Sequence, residues 1–496
     1  MKSSNKVLSR IDSLKLASST LELITSYLVN DNNGSLYNGH SIFDVFKADI
    51  IGSASDMLQD ERIKKGNHFR SFLRSFVYNN GNFSKNTNLN LNDVKIVIVP
   101  KTDSHLVAIF DILRNLNNAN IGQILFITFT RSHYHKIKDN GFRCIFLNNY
   151  IKLNFFDFIK IFRSYVSNII QFRKALINIK LDKSVSSILF SSSQFVLSKH
   201  LIKFYCLDKL LKNLLMLSEP SVMLIGNSNT YEGRLATIFS KSRGLKTMSI
   251  QHGRVDLQDP ITNNPLVDTY FTWGRIPNNI MISKGISENN LKIVGAPWLD
   301  NFKSSLSKIS NDEKFVLVAF SGPGHMTGLK EHKSNVKMIT DICKENKDVN
   351  FIFKLHIKDK IEYYKSNKRS ISHSNIKVIP GHNSDKNIFY FLKKSYLLIT
   401  TGSTAAIDAM VMGVPVITFN ADSFQRNYNE FINFGATYHA KNKNEVNNLI
   451  RELISEKFDH TIHLKTQEFL NEYFANYKTR DAKSAISSFI DKIIKN

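Results

Sequence analysis

Cysteine is scarce in this 496-residue chain: Cys144, Cys206 and Cys343 stand far apart, without CxxC spacing or a neighbouring histidine cluster. That argues against a disulfide framework and against structural zinc, and it suits a reducing cytoplasm. Long apolar runs are also missing. No stretch approaches the roughly 20 apolar residues of a spanning helix, and MKSSNKVLSRIDSLKLASS at the start lacks the continuous apolar core of a signal peptide. The expectation is a cytoplasmic protein that, at a membrane, would sit on the inner surface. Acidic residues are in deficit, 42 Asp and Glu against 66 Lys and Arg, for a net charge of +24. Such a chain selects anionic partners. Dense arginine tracts, helix-turn-helix, zinc-finger and RNP-type signatures are all absent, so nucleic acid is set aside as a partner.

What remains is an ordinary globular balance, 42% hydrophobic and 22% charged, in a chain too long for one core, so two domains are expected. Residues 1–90 read as helices and polar loops, ending in the Asn-rich NNGNFSKNTNLNLND. An alternation then begins: KIVIVP as strand, SHLVAIFDILRNL as helix, QILFITF as strand, HYHKIKDNG as helix, RCIFL as strand, and further strands at SSILF, SVMLIGNSN and LKTMSIQHG. Strands separated by helices imply crossover units and a parallel sheet. Residues 256–310 read as a transition, and a second alternating series runs from KFVLVAFS to VPVITF, followed by terminal helices from Lys465. The segment 154–179 carries Phe155, Phe158, Ile159, Phe162, Val166, Ile169 and Ile170 at helical spacing, with Lys160, Arg163, Arg173 and Lys174 largely elsewhere. We read it as a helix packed on the sheet; a basic amphipathic helix on anionic lipid is the alternative.

Chemistry is expected at strand ends, where open α/β sheets bind ligands. In SIQHGR, His252 and Gly253 fall where a strand gives way to loop, with Arg254 next. In YLLITTGSTAAIDAMVMGVPVITF a strand runs through Thr400 and Thr401 into Gly402, Ser403 and Thr404, and a helix begins at Ala405. Its backbone N–H groups and dipole favour a phosphate, while capping by Ser403 or Thr404 is the simpler structural account. FSGPGHMTG places Ser321, Gly322, Gly324 and His325 at the same sheet edge, although Pro-Gly also serves plain turns. Alternation in FIFKLHI puts Lys354 and His356 on one face and Phe351, Phe353 and Leu355 on the other.

Taken in order, QHG at 251–253, DTYFTWG with LKIVGAPWLDNF, FKLHI, and LLITTGSTAAIDAMVMGVPVITF resemble segments of bacterial GT-B glycosyltransferases of surface-polysaccharide synthesis, among them the capsule and polysialic-type transferases and the CDP-glycerol glycerophosphotransferases. The similarity spans about residues 245–425; the UDP-GlcNAc 2-epimerases share its layout around GISENNLKIVG. It implies an α/β GT-B fold, two Rossmann-like parallel-sheet domains facing a central cleft, with C-terminal helices. The expected divisions are 1–90 as a helical and polar N-terminal segment joined to the first lobe, 91–270 as the acceptor-side domain, 271–464 as the donor-binding domain and 465–496 as terminal helices.

The activity implied is metal-independent, inverting transfer of a sugar from a nucleotide-activated donor to a capsule or lipopolysaccharide acceptor, a glycan or lipid-linked glycan. No further cofactor is implied. The absence of any Asp-x-Asp motif fits metal independence. The resemblance makes His252 the catalytic base; the glycine and hydroxyl loops and the cationic strand face assign donor and phosphate binding to Ser321, Gly322, Lys354, His356, Gly402, Ser403, Thr404 and Asp408, and Gly253 and Arg254 are left for acceptor contact. Transfer from CDP-glycerol, a UDP-GlcNAc 2-epimerase-like reaction, and a non-catalytic basic protein binding anionic polymers or membrane are the alternatives. The sequence departs from the family at Ile357, where proline usually follows the histidine, and residues 1–240 resemble nothing that would specify the acceptor.

Overall fold

A computed structural model describes residues 10–30, 36–37, 40–60, 68–80, 91–116, 122–257, 259, 266–302, 314–323, 327–357, 359–364, 375–381, 387–419, 430–475, 479 and 481–495. The residues Gly324 and His325 lie outside them, as does most of the Asn-rich stretch.

Beyond a small ribbon of β1 (Leu36–Tyr37) and β2 (His40–Ser41), the strands form two sheets, and every pairing within them is parallel. The first holds β3 (Ile96–Val99), β4 (Ile124–Thr128), β5 (Arg143–Phe146), β6 (Val222–Ile225), β7 (Lys246–Ile250), β8 (Thr269–Thr272) and β9 (Leu291–Ile293), in the order β5-β4-β3-β6-β7-β8-β9. The second holds β10 (Phe315–Val318), β11 (Phe351–Lys354), β12 (Ile376–Ile379), β13 (Ser395–Thr400), β14 (Val416–Phe419) and β15 (Tyr438–Ala440), in the order β12-β11-β10-β13-β14-β15. Counted within its own sheet, each begins 3-2-1-4-5-6, the doubly wound order, so each has one point where the direction of winding reverses. These points fall between β3 and β6 and between β10 and β13.

The strands are apolar on both faces because helices cover both. Ile96 and Ile98 join a core with Leu106, Ile109 and Ile112, whereas Val97 and Val99 face the layer that contains Leu197 and Leu201. The second sheet repeats this, with Phe315 and Leu317 toward one cluster and Val316 and Val318 toward the other.

Two sequence expectations change. SSILF is not a strand but the start of a 35-residue helix, Lys183–Leu217, capped by Asp182 on the N–H groups of Ser184 and Val185. A short apolar run has no period long enough to separate strand from helix. The helices Arg10–Asn30, Lys47–Asp60 and His68–Asn80 pack with it and with Phe155–Ile179, so the N-terminal segment belongs to the first lobe's helical layer. The first lobe also runs past the boundary expected at 270, because β8 and β9 extend its sheet to Ile293. The terminal helix Ala482–Lys495 packs on this same lobe through Ile486 and Ile490, and Ser487 Oγ donates to the Ile112 carbonyl at 2.8 Å.

Candidate functional site

The first lobe's edge is built around the exits of β3, β6 and β7. Gln251, buried at the end of β7, fixes the loop that follows: its Oε1 accepts from the Trp273 N–H and its Nε2 donates to the Gly253 carbonyl, both at 2.9 Å. His252 is thereby held at an exposed position. Its ring meets that of buried His105 edge-on, with centroids 4.2 Å apart. Thr102 sets the state of His105, because the Thr102 backbone N–H donates to His105 Nδ1 at 3.1 Å and so places the ring proton on Nε2. Burial, with His252, His133 and Lys101 adding, drives the His105 pKa down to about 2 and keeps the ring neutral. Gly226, after β6, must be small: a β-carbon there would lie 3.2 Å from the His105 ring and from the Lys101 backbone.

Behind these imidazoles lies a polar group that the sequence reading missed. Lys101 Nζ meets Glu232 Oε1 at 2.6 Å, and Glu232 is buried. Asp49, from the N-terminal helices, is raised to about 6 by burial and then by the Glu232 charge. Position at the exit of KIVIVP could have flagged Lys101 and His105; nothing local links Asp49 to Glu232.

Arg254 occupies a different setting from the acceptor contact expected of it. Its guanidinium donates to Asp256 at 2.6 Å and to Glu430 of the second lobe at 3.0 Å, all three side chains being largely buried. Burial opposes its charge, but Glu430 and Asp256 outweigh that and raise its pKa. The residue ties the His252 loop to the second lobe. Nearby, Gly274 lets Trp273 approach the helix His460–Phe474: a β-carbon there would sit 2.4 Å from the Glu472 carbonyl oxygen.

In the second lobe, three loops gather at the exits of adjacent strands β10, β11 and β13. After β10, Gly322 turns with φ +70°, and a β-carbon on it would stand 3.3 Å from His356 Cβ. Ser321 is half-buried beside it. The strand alternation holds, with Phe351, Phe353 and Leu355 buried and Lys354 and His356 on the other face. Lys354 Nζ donates to the Pro380 carbonyl at 3.0 Å, and burial lowers its pKa. The turn that proline would set after His356 is closed here by the Asp359 N–H on the His356 carbonyl, with Asp359 held by His332 and Tyr364.

After β13, Gly402 takes φ +107°, which glycine adopts without strain. The Ser403 N–H donates to Thr400 Oγ1 and Ser403 Oγ accepts from the Ala405 N–H, both at 3.3 Å. Thus Ser403 caps the helix Ala405–Val411, while Thr404 is exposed and makes no side-chain cap. Asp408 retains some exposure, yet burial of its carboxyl alone lifts the pKa to about 7. Among the described residues no group of three or more His, Cys, Asp or Glu is placed to hold a metal ion.

No protein-family model matches the chain, and neither does any curated protein. Solved structures do match it. The Staphylococcus aureus MnaA–UDP co-structure superimposes with a TM-score of 0.50 at 15% identity, over 81% of this chain and 97% of that one. A Neisseria meningitidis UDP-GlcNAc 2-epimerase bound to UDP-GlcNAc gives 0.51 at 13% identity, over 81% of this chain and 100% of that one. At such identities the likeness establishes architecture: this chain has the GT-B fold, two Rossmann-like parallel-sheet domains with helices on both faces of each sheet.

Proposed function

We propose that the protein acts on a nucleotide-activated sugar, as a metal-independent, inverting glycosyltransferase. The observation that carries this reading is the convergence of Ser321–Gly322, His356 and Gly402–Ser403 at the exits of β10, β11 and β13, the reversal point of the second sheet. A diphosphate there would find backbone N–H groups, hydroxyls and an imidazole, with Lys354 close by and Asp408 available to a ribose hydroxyl. The two solved structures named above carry UDP and UDP-GlcNAc, which supports a uridine nucleotide as the first one to test.

In the reaction, His252 takes the proton of the acceptor hydroxyl as that oxygen bonds to the sugar's anomeric carbon. The bond from that carbon to the diphosphate breaks, and the negative charge passes to the nucleotide. An imidazole exposed at the sheet edge suits the role of general base, and the phosphate loops stabilise the leaving group. The acceptor belongs to surface-polysaccharide synthesis on the resemblance of the four motifs.

A second reading is favoured by one specific feature. Glu232 and Asp49, the latter raised to about 6 mainly by burial, set two carboxyl groups beside Lys101 in the first lobe, and a 2-epimerase needs acid–base groups around its sugar. Incubation with UDP-GlcNAc and no acceptor separates the two: the transferase leaves it unconverted, the epimerase yields UDP-ManNAc. A thermal-shift panel of UDP, CDP, GDP and CMP tests the shared premise, since a true donor nucleotide at a hundredfold excess over Kd stabilises by about 2.7 kcal/mol. No shift with any of the four removes the nucleotide-sugar reading altogether.

A further inference from the structure

The helix Phe155–Ile179 lies in the outer layer of the first lobe, and it carries two apolar surfaces where one was needed. Ile161, Tyr165, Phe172, Ala175 and Leu176 are its buried face, packed on the helices Arg10–Asn30 and Lys183–Leu217. Another set of apolar side chains points to solvent. Phe155 is 69% exposed, Phe156 79%, Ile170 50% and Ile177 66%, with Val166 between them. Positions 156, 163, 166, 170 and 177 recur at three-, four- or seven-residue intervals and share one face.

The same side of the helix is basic. Lys160, Arg163, Arg173 and Lys174 are exposed along it, and Lys152 and Lys180 extend the charge at either end. The helix has one acid, Asp157, which is engaged by Lys209 at 2.9 Å and by its own N-terminal cap. A groove of about 440 Å³ lies on this surface, lined by Phe162, Val166 and Ile170 together with Arg163 and Lys174.

Solvent-facing phenylalanines adjacent in sequence are costly for a surface that meets only water, and contiguous apolar patches on soluble proteins mark interaction sites. We infer that this face of Phe155–Ile179 docks on an anionic lipid leaflet, Phe155 and Phe156 entering the acyl boundary and the flanking lysines and arginines pairing with lipid phosphates. Charge decides the occupant: the net +24 of the chain opposes self-association through a cationic face, whereas an anionic leaflet attracts it. The arrangement is that of an in-plane helix, with apolar residues between cations that reach the headgroups. Among the described residues no helix is long and apolar enough to cross a membrane, so the contact is a surface one.

The test is flotation of the full chain with vesicles of phosphatidylcholine alone or with phosphatidylglycerol. The chain should float with the anionic vesicles and not with the neutral ones, and should be released at about 1 M salt, where the screening length falls to ~3 Å. The Phe155→Ser, Phe156→Ser double variant should lose roughly tenfold or more of the bound fraction, and Arg163→Glu with Lys174→Glu should abolish the preference for anionic lipid. All four positions are exposed, so circular dichroism and melting should match the parent. A Phe156→Trp variant gives a second reading: its emission should shift to the blue on anionic vesicles and be quenched by brominated acyl chains. The inference is overturned by equal or absent flotation on the two vesicle types, by variants that float like the parent, or by light scattering that shows a dimer split by the double serine variant.

Discussion

Replacing Arg254 by alanine isolates the link between the His252 loop and the second lobe. The guanidinium is largely buried and serves two carboxylates at 2.6 and 3.0 Å. Its loss takes the directly bonded cation from two buried carboxylates, leaving their attraction to Lys284, and breaking a buried pair in this way costs about 3–5 kcal/mol. At about 2–4 °C per kcal/mol for a domain of 150–250 residues, the lower figure corresponds to a fall of roughly 6–12 °C in the melting transition. The loss should depend on pH. Burial already raises the Glu430 pKa, with Asp256 adding and Arg254 opposing. Without Arg254 it rises further, the folded state binds a proton that the unfolded state lacks, and stability increases as pH falls toward 5. Melting of parent and variant at pH 8 and pH 5 measures both effects. A drop of under about 2 °C at pH 8, or one equally large at pH 5, would refute the argument. Arg254→Met combined with Asp256→Asn and Glu430→Gln should recover much of the loss, since a well-packed neutral set removes the two repelling buried charges.

Other expectations concern the two sheet edges. His252→Ala should lower turnover about 10²–10⁴-fold with nucleotide binding retained, as read by steady-state rates and calorimetric titration; weaker nucleotide binding would place the residue elsewhere. Asp408→Asn should raise the melting temperature at pH 8 and leave it nearly unchanged at pH 4. The Asp408 carboxyl, with a folded pKa of about 7, holds a proton between roughly pH 4 and 7 that the unfolded chain has released, so its destabilising ionisation grows through that window. Gly322→Ala should cost about 1–2 kcal/mol from its positive φ and weaken nucleotide binding by crowding His356, visible as a reduced ligand-induced thermal shift. Gly274→Ala should destabilise more, because the clash is with backbone, and proteolysis near residue 475 would report the displaced helix.

The chain's alternation of apolar strands with helices was enough to establish parallel sheets, and the strand-to-loop passages at QHG, FSG, KLHI and TGST fall at the exits of β7, β10, β11 and β13. Those are local properties, written in periods of two and 3.6 residues and in glycines at the turns. The reading failed where local pattern is ambiguous. SSILF is too short to show a period, and DTYFTWG and LKIVG, although separated by the helix Arg275–Ser283, are runs of only three or four strand residues whose composition does not say which lobe's sheet they join. In Phe155–Ile179 the apolar residues are so many that sequence could not tell which stripe is buried.

Tertiary structure alone decided the strand order, and with it the reversal point that brings the loops of Gly322, His356 and Gly402 to neighbouring exits of the second sheet. It also paired Arg254 with Glu430 across 176 residues, set Asp49 beside Glu232, and laid His105 against His252. The physical reason is common to all of these. A residue's backbone preference is determined by its near neighbours, whereas its ion pairs, its burial and hence its pKa depend on whichever distant segments the packed layers bring against it.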